Sequence, residues 1–261
     1  MTVLDAQNIS FRYPGAQSDV LLSASVRVES GEFVTLLGRN GSGKSTLSLI
    51  LAGLVGEGGG KCSLTREERR RLCRIVFQNP DNQIVGETVE EDTAFGPENL
   101  LLESDEIRRR TDEALHSVGL YEKRFDSPFS LSGGEKQRLA IAGALALRPG
   151  LLILDEASSM LDRASIESIL TLIRRECREN GLGVLYITHH TDEALLSERV
   201  CILDKGRTVA EGKPEDVLTY DTLTRYSLPV PYALTLSRKL GLGECLTLDQ
   251  IERRIKEKTG K

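Results

Sequence analysis

The chain has 261 residues, with 39 acidic and 34 basic side chains for a formal charge of −5. That length suffices for one large domain with its own core, or for one domain plus a small appendage, and is cramped for two full domains. Acids and bases are interspersed, which excludes a global positive field able to hold a nucleic-acid backbone against salt, so no nucleic-acid partner is expected. The five cysteines (Cys62, Cys73, Cys177, Cys201, Cys245) are scattered, with no C-x-x-C pair and no His at metal spacing, and fit a reduced, cytoplasmic setting. The opening MTVLDAQNIS lacks a basic and an apolar signal region, and nothing downstream approaches about eighteen uninterrupted apolar residues. Any membrane role is therefore expected to run through a partner.

In chain order, VLDAQNISFRY roughly alternates and ASVRVES alternates at Val26 and Val28, both as strands do. EFVTLLG, a short apolar run that ends in glycine, suits a central strand buried on both faces. TREERRRLCR carries a capping box, Thr65 and Glu68, and then a basic face, which reads as a solvated helix or as a contact with a partner or nucleotide. VFQNPDNQIVGETVEEDTAFGPENL, Val76 to Leu100, is too polar for a core strand and too ordered in its residue choices for a spacer. EKQRLAIAGALALRPG predicts an Ala/Leu-rich helix that stops near Pro149 and Gly150. LLILD and GVLYIT are two more buried strands separated by helical stretches, so the fold class is α/β. VCILDKGRTVAEG reads as a hairpin turning at Asp204 to Gly206. From Pro214 onward come short helices broken by Pro229 and Pro231, and a last helix capped by Thr247 and Gln250 with an Ile251/Ile255 stripe.

GRNGSGKST, Gly38 to Thr46, satisfies G-x-x-x-x-G-K-[ST] between a predicted strand and a predicted helix. Its glycines let backbone N–H groups turn onto phosphate oxygens at the positive end of the helix. Lys44 then supplies a charge for the β- and γ-phosphates of ATP, and the Ser45 hydroxyl is a ligand for Mg2+. Gly38, Asn40, Gly41, Ser42, Gly43 and Thr46 complete the expected cradle. LLILDE delivers Asp155 and Glu156 from a strand end to the same edge, Asp155 to hold Mg2+ and Glu156 to take a proton from the attacking water. Adjacent acids at a strand end can also merely cap the next helix.

LSGGEKQR, Leu131 to Arg138, builds a second anion-binding nest at a helix start, and one domain already has its phosphates cradled by the first. Here the chain resembles the ATP-binding-cassette family, whose signature reads LSGGQ, with Glu135 in the last place. The resemblance runs from about Val3 to Gly212 with every motif in family order. It implies a phosphate-loop nucleotide-binding domain over residues 1–212, with a RecA-like core, an antiparallel β subdomain and a helical signature subdomain, followed by a helical extension over 213–261. It also implies a head-to-tail dimer with a second such ATPase, the same chain or a paralogue, in which Ser132, Gly133 and Gly134 close over the γ-phosphate held opposite.

Further positions carry over singly. Tyr13 matches the aromatic that stacks on adenine, although a lone Tyr beside a proline is also a packing residue. Gln78 would sense Mg2+ and the attacking water, Asp162 would cross the dimer, and His189 matches the switch histidine that contacts the γ-phosphate, with His190 a bystander. Two departures stand out. Ala157 and Ser158 occupy places where Pro and Thr are common, and EGGGKCSL in a shortened interval is expected to replace a strand hairpin and trim the edge sheet.

The stretch from Gln78 to Leu100 looks like the corresponding region of ATPases from energy-coupling-factor transporters and the related cobalt and nickel importers. That implies docking to a transmembrane coupling subunit, a separate membrane protein that binds the cargo, and a peripheral location on the cytoplasmic face of the cell membrane. Asn82, Gln83, Glu90, Glu91 and Asp92 are candidates for the docking rim, where acids meet arginines of the partner. The alternative is an ordinary solvated helix start, with Thr88 and Glu91 as a capping box. LPVPYALTLSRKLGL, Leu228 to Leu242, resembles the C-terminal extension that joins two such ATPases, or is a set of local packing helices. A conventional importer ATPase and a soluble cassette without a membrane partner are the alternatives. Chromosome-holding cassettes carry a long coiled coil, and translation factors carry two cassettes; neither is found here.

Overall fold

The computed structural model describes residues 1–158 and 161–259; Ser159 and Met160, within the SSMLD segment, lie outside the described residues. The chain order is β1 (Thr2–Phe11), β2 (Leu21–Glu29), β3 (Phe33–Leu37), α1 (Lys44–Leu51), β4 (Gly59–Cys62), α2 (Arg66–Leu72), β5 (Cys73–Val76), α3 (Val89–Asn99), α4 (Ser104–Val118) and α5 (Gly133–Ala146). There follow β6 (Leu151–Asp155), α6 (Arg163–Asn180), β7 (Gly183–Thr188), α7 (Thr191–Ala194), β8 (Arg199–Asp204), β9 (Arg207–Gly212), α8 (Pro214–Val217), α9 (Tyr220–Arg225), α10 (Tyr232–Lys239) and α11 (Leu248–Thr259). The strands form one mixed sheet ordered β4-β1-β2-β9-β8-β3-β7-β6-β5. The β8-β3-β7-β6-β5 side is parallel, and β4-β1-β2 is antiparallel.

Every residue of β3, β6 and β7 is buried, as an apolar run covered on both faces requires. The two-residue period then sorts side chains between layers. Leu152, Leu154, Val184 and Tyr186 face the core shared with α5 and α6, and Leu151, Ile153, Leu185 and Ile187 face the core shared with α1 and β2. In α4, Thr111, Ala114, Leu115 and Val118 recur at helical spacing and form its buried stripe.

Parallel register fixes where the strands end. Leu37 lies opposite Thr188 and Asp155 opposite Ile187, so the cradle, the two acids and the histidine pair all emerge at one edge. The β8–β9 hairpin turns through Lys205 and Gly206, both at positive φ as a tight two-residue turn demands.

EGGGKCSL forms a single four-residue edge strand, β4, paired antiparallel with β1, where a hairpin would supply two strands. The basic face of α2 is only partly solvated. Arg69 is fully buried beside Glu57 at 2.5 Å, and Arg66 and Arg70 donate to the carbonyls of Gly53 and Leu54, just past the C-terminal end of α1 where backbone acceptors go unpaired. Past Gly212, Val217, Leu218, Leu223, Leu228 and Leu234 share a buried cluster with Leu37, Val200 and Ile202, so the first half of the extension packs on β3 and β8. Ala233, Leu242, Cys245 and Ile251 form a further, smaller cluster.

Candidate active site

The loop between β3 and α1 is a backbone cradle because its glycines permit it. Gly41 and Gly43 sit at φ 80° and 104°, and a Cβ on Gly38 would lie 2.5 Å from the Leu203 carbonyl oxygen. Lys44 is 5% exposed; its Nζ donates to the carbonyls of Gly38 (2.8 Å) and Arg39 (3.2 Å) and stands 3.3 Å from Glu156 Oε1. Asp155 accepts from Ser48 Oγ at 2.9 Å and Ser45 Oγ at 3.4 Å. Burial pushes its carboxyl above the usual range, against the two serine hydrogen bonds, and the neighbouring Glu156 charge pushes the same way. Ser48 belongs to no motif; its signal in the sequence is its place one helical turn beyond Ser45, on the same face of α1.

Glu156 adopts φ 52°, uncommon for a residue with a side chain, and its N–H donates to Ile187 O at 3.0 Å. His189 Nδ1 stands 3.5 Å from Glu156 Oε1 and has no hydrogen-bond partner, and the buried Ser42 Oγ also has none. The His190 ring lies tilted by 37° to that of His189, with centroids 4.1 Å apart.

A cavity of about 730 Å3 gathers Asn40, Gly41, Gly43, Lys44, Ser45, Thr46, Gln78, Asp155 and Glu156. Gly38 and Ser42 belong to the same loop. Tyr13 lies at its margin, 38% exposed, edge-on to Phe11 with its hydroxyl 3.2 Å from Thr46 Oγ1. His189 lines an adjoining hollow with Arg39, Asn40 and Ser227 to Pro229. Another hollow, of about 680 Å3, lies at the opposite edge of the sheet among α4, α5 and α6 and holds none of these residues.

Ser132, Gly133 and Gly134 do not line the cradle cavity. Ser132 caps α5 in a reciprocal box with Glu135, whose carboxyl also binds Lys123 at 2.6 Å, and Ser132 and Gly133 are exposed. The same helix touches the Gln78 segment, through Lys136 to Asp81 (2.7 Å) and Gln137 to the Phe77 carbonyl (3.4 Å). Asp162 caps α6 by accepting from the Ser165 N–H and likewise lies off the cavity.

Among the rim candidates, Asn82 and Glu91 are exposed and Glu90 is half-buried, with Glu91 closing the α3 capping box. Gln83 and Asp92 turn inward. Gln83 accepts from the Phe77 N–H and donates to Ile75 O, and buried Asp92 accepts from the N–H groups of Val85 and Gly86. Both brace the loop from beneath.

The donors fit a nucleoside triphosphate with a hard divalent cation. Lys44 and the unpaired Ser42 hydroxyl would serve anionic oxygens, while Ser45 and Asp155 would offer two oxygens to a metal. Among the described residues no group of three or more His, Cys, Asp or Glu could hold a metal by itself, so phosphate and water would supply the remaining ligands.

A phosphate cradle, an acid pair at the adjacent strand end and a detached signature nest define a phosphate-loop ATPase of the cassette class. The ABC transporter family model matches residues 21–159, and the chain belongs to that family. It is 43% identical over 250 residues to the "Energy-coupling factor transporter ATP-binding protein EcfA1" of Clostridioides difficile strain 630, covering 91% of this chain and 90% of that one. Among solved structures it is similar to cbiO1 from Clostridium perfringens, described as part of the ABC transporter complex cbiONQ, with TM-score 0.78, 31% identity and coverage of 86% and 93%. The cassette MJ0796, solved as a dimer bound to ADP and Pi, superposes with TM-score 0.71 at 28% identity, covering 81% of this chain and 99% of that one.

Proposed function

We propose that this chain is the ATP-hydrolysing subunit of an energy-coupling-factor importer for a vitamin or transition-metal ion, working as half of a head-to-tail ATPase pair on the cytoplasmic face of the membrane. The observation that carries the reading is the split site. Lys44, Ser45, Asp155, Glu156 and His189 converge at one sheet edge, whereas the Ser132–Gly134 nest, exposed at Ser132 and Gly133, lies off their cavity and is free to serve a second subunit.

In that pair, Lys44 and the loop N–H groups hold the β- and γ-phosphates, and Tyr13 lies against adenine. Ser45, Asp155 and Gln78 would hold Mg2+, which would supply charge neutralisation of the phosphate oxygens. Glu156 takes the proton of the attacking water, and His189 contacts the γ-phosphate. Ser132, Gly133, Gly134 and Asp162 act across the dimer. Closure on two nucleotides is the mechanical output. The Gln78–Leu100 segment faces the transmembrane coupling subunit through Asn82, Glu90 and Glu91, while Gln83 and Asp92 hold its shape. Cargo recognition belongs to a separate membrane subunit.

The C-terminal half of the extension is proposed as a dimer contact. Leu248 and Ile255 are exposed apolar positions there. Because residues before that half pack on β3 and β8, a truncation that tests it starts after Leu240, and light scattering should then show a weaker dimer with nucleotide binding retained. No helix of the described residues is long and apolar enough to cross a membrane, so the assembly is tested by recovery. Tagged Glu156→Gln protein, drawn from native membranes in mild detergent with ATP, should bring a polytopic scaffold and a small cargo-binding membrane protein. Recovery of soluble proteins, ribosomes or DNA alone would overturn the transport reading and leave the ATPase intact.

A further inference from the structure

Behind the Glu156–His189 contact lies a hydrogen-bonded cluster that neither the cradle nor the signature uses. Glu193, on α7, accepts from Ser158 Oγ at 3.1 and 3.2 Å to its two carboxylate oxygens, from Tyr186 Oη at 2.7 Å and from Thr188 Oγ1 at 2.6 Å. Tyr186 Oη also stands 2.7 Å from Ser158 Oγ, so its single proton is shared between the serine and the carboxylate. Thr188 Oγ1 in turn accepts the His190 N–H at 3.1 Å. Ser158, Tyr186 and Thr188 are all buried.

The positions of the three donors give the cluster its significance. Ser158 lies two residues beyond Glu156 and Thr188 immediately precedes His189, so both flanks of the 3.5 Å Glu156–His189 contact are tied to one carboxylate. Glu156 sits at φ 52°, a conformation that persists only where its surroundings over-determine it. Its N–H bond to Ile187 O supplies one restraint, and the Ser158–Glu193 bond, two residues on, supplies a second. Hydroxyl bonds to a carboxylate are among the stronger and more directional kinds, and a half-buried hub whose three donors are buried fixes geometry rather than merely filling space.

We propose that Glu193 is a positioning residue for hydrolysis, holding Glu156 and His189 in register through Ser158 and Thr188. This rests on the reading of Glu156 as the base and of His189 as the γ-phosphate contact. Sequence alone gave no pointer to it, because Glu193 lies in a helical stretch where an acid ordinarily meets solvent.

The test measures steady-state kcat, KM for ATP, nucleotide affinity and thermal midpoint for Glu193→Gln, Ser158→Ala and Ser158→Thr, with Glu156→Gln in parallel. Glu193→Gln keeps the shape but turns one acceptor into a donor, and Ser158→Ala removes one hydroxyl. Both are expected to lower kcat about tenfold or more with KM and nucleotide affinity within about twofold, because misplacement costs the chemical step and not binding. Ser158→Thr keeps a hydroxyl at the same place and is expected to restore most of the wild-type kcat. Unchanged kcat in Glu193→Gln would overturn the proposal, as would a loss that follows the thermal midpoint and that Ser158→Thr shares. If Glu156→Gln is inactive while Glu193→Gln is normal, only the positioning role fails. If Glu156→Gln turns over at the wild-type rate, the base assignment fails and the positioning proposal falls with it.

Discussion

Leu234 tests whether the start of the extension belongs to the ATPase core. It is fully buried among Leu37, Val200, Ile202, Val217 and Leu223, and Leu37 ends the strand that leads directly into the cradle. Leu→Ala at a buried site costs about 2–5 kcal/mol, depending on how far the surroundings collapse into the cavity. Strands β3 and β8 form one wall of this site and resist collapse, so Leu234→Ala is expected near the middle, about 3 kcal/mol. For a chain of this length that corresponds to a drop in thermal midpoint of roughly 6–12 °C. Ile251→Ala, in the smaller cluster with Ala233, Leu242 and Cys245, should cost less in the main transition. Urea and thermal unfolding followed by circular dichroism, alongside nucleotide-binding fluorescence, would measure both. A Leu234→Ala loss below about 1 kcal/mol, or an early phase that leaves nucleotide binding intact, would refute the shared core.

The other predictions concern charge and loop shape. Lys44→Ala removes the charged donor of the cradle, and at about 1.5–3 kcal/mol per charged hydrogen bond it should weaken ATP binding roughly 10- to 150-fold by titration calorimetry; unchanged affinity would refute the cradle. Asp92→Ala leaves the N–H groups of Val85 and Gly86 without their acceptor, and a cost of about 1–3 kcal/mol in unfolding, with turnover of the isolated protein kept, is expected. Lys123, with the N–H and hydroxyl of Ser132, holds the Glu135 carboxyl down at about 2 from its ordinary 4.5. A depressed carboxyl stabilises fully above its unfolded value and ceases to do so as pH falls through its folded value, so this contribution disappears between about 4.5 and about 2. Glu135→Gln should therefore lose less stability than the wild type across that window in urea titrations, and parallel losses would contradict the assignment.

The phosphate loop, the acid pair and the signature were legible because each packs its chemistry into a few consecutive residues. The central strands were legible too, since Phe33–Leu37, Leu151–Asp155 and Gly183–Thr188 are uninterrupted apolar runs ending at punctuating residues. What escaped depends on contacts between distant segments. Arg69 looks like one of several surface arginines until its pairing with Glu57 is seen, and Asp92 looks like a rim acid until the Val85 and Gly86 N–H groups close on it. The division at Gly212 follows the end of the family motifs, whereas Leu218, Leu228 and Leu234 pack back on β3 and β8 across it. Glu193 gathers its partners from 35, 7 and 5 residues away, a pattern without a local signature.

The split site is tested by ATP turnover and dimer formation measured together on the Glu156→Gln protein. An ATP-dependent dimer visible by light scattering is expected, with steady-state hydrolysis nearly abolished and nucleotide affinity preserved. Hydrolysis at the wild-type rate, or a protein that binds ATP and remains monomeric, would contradict it.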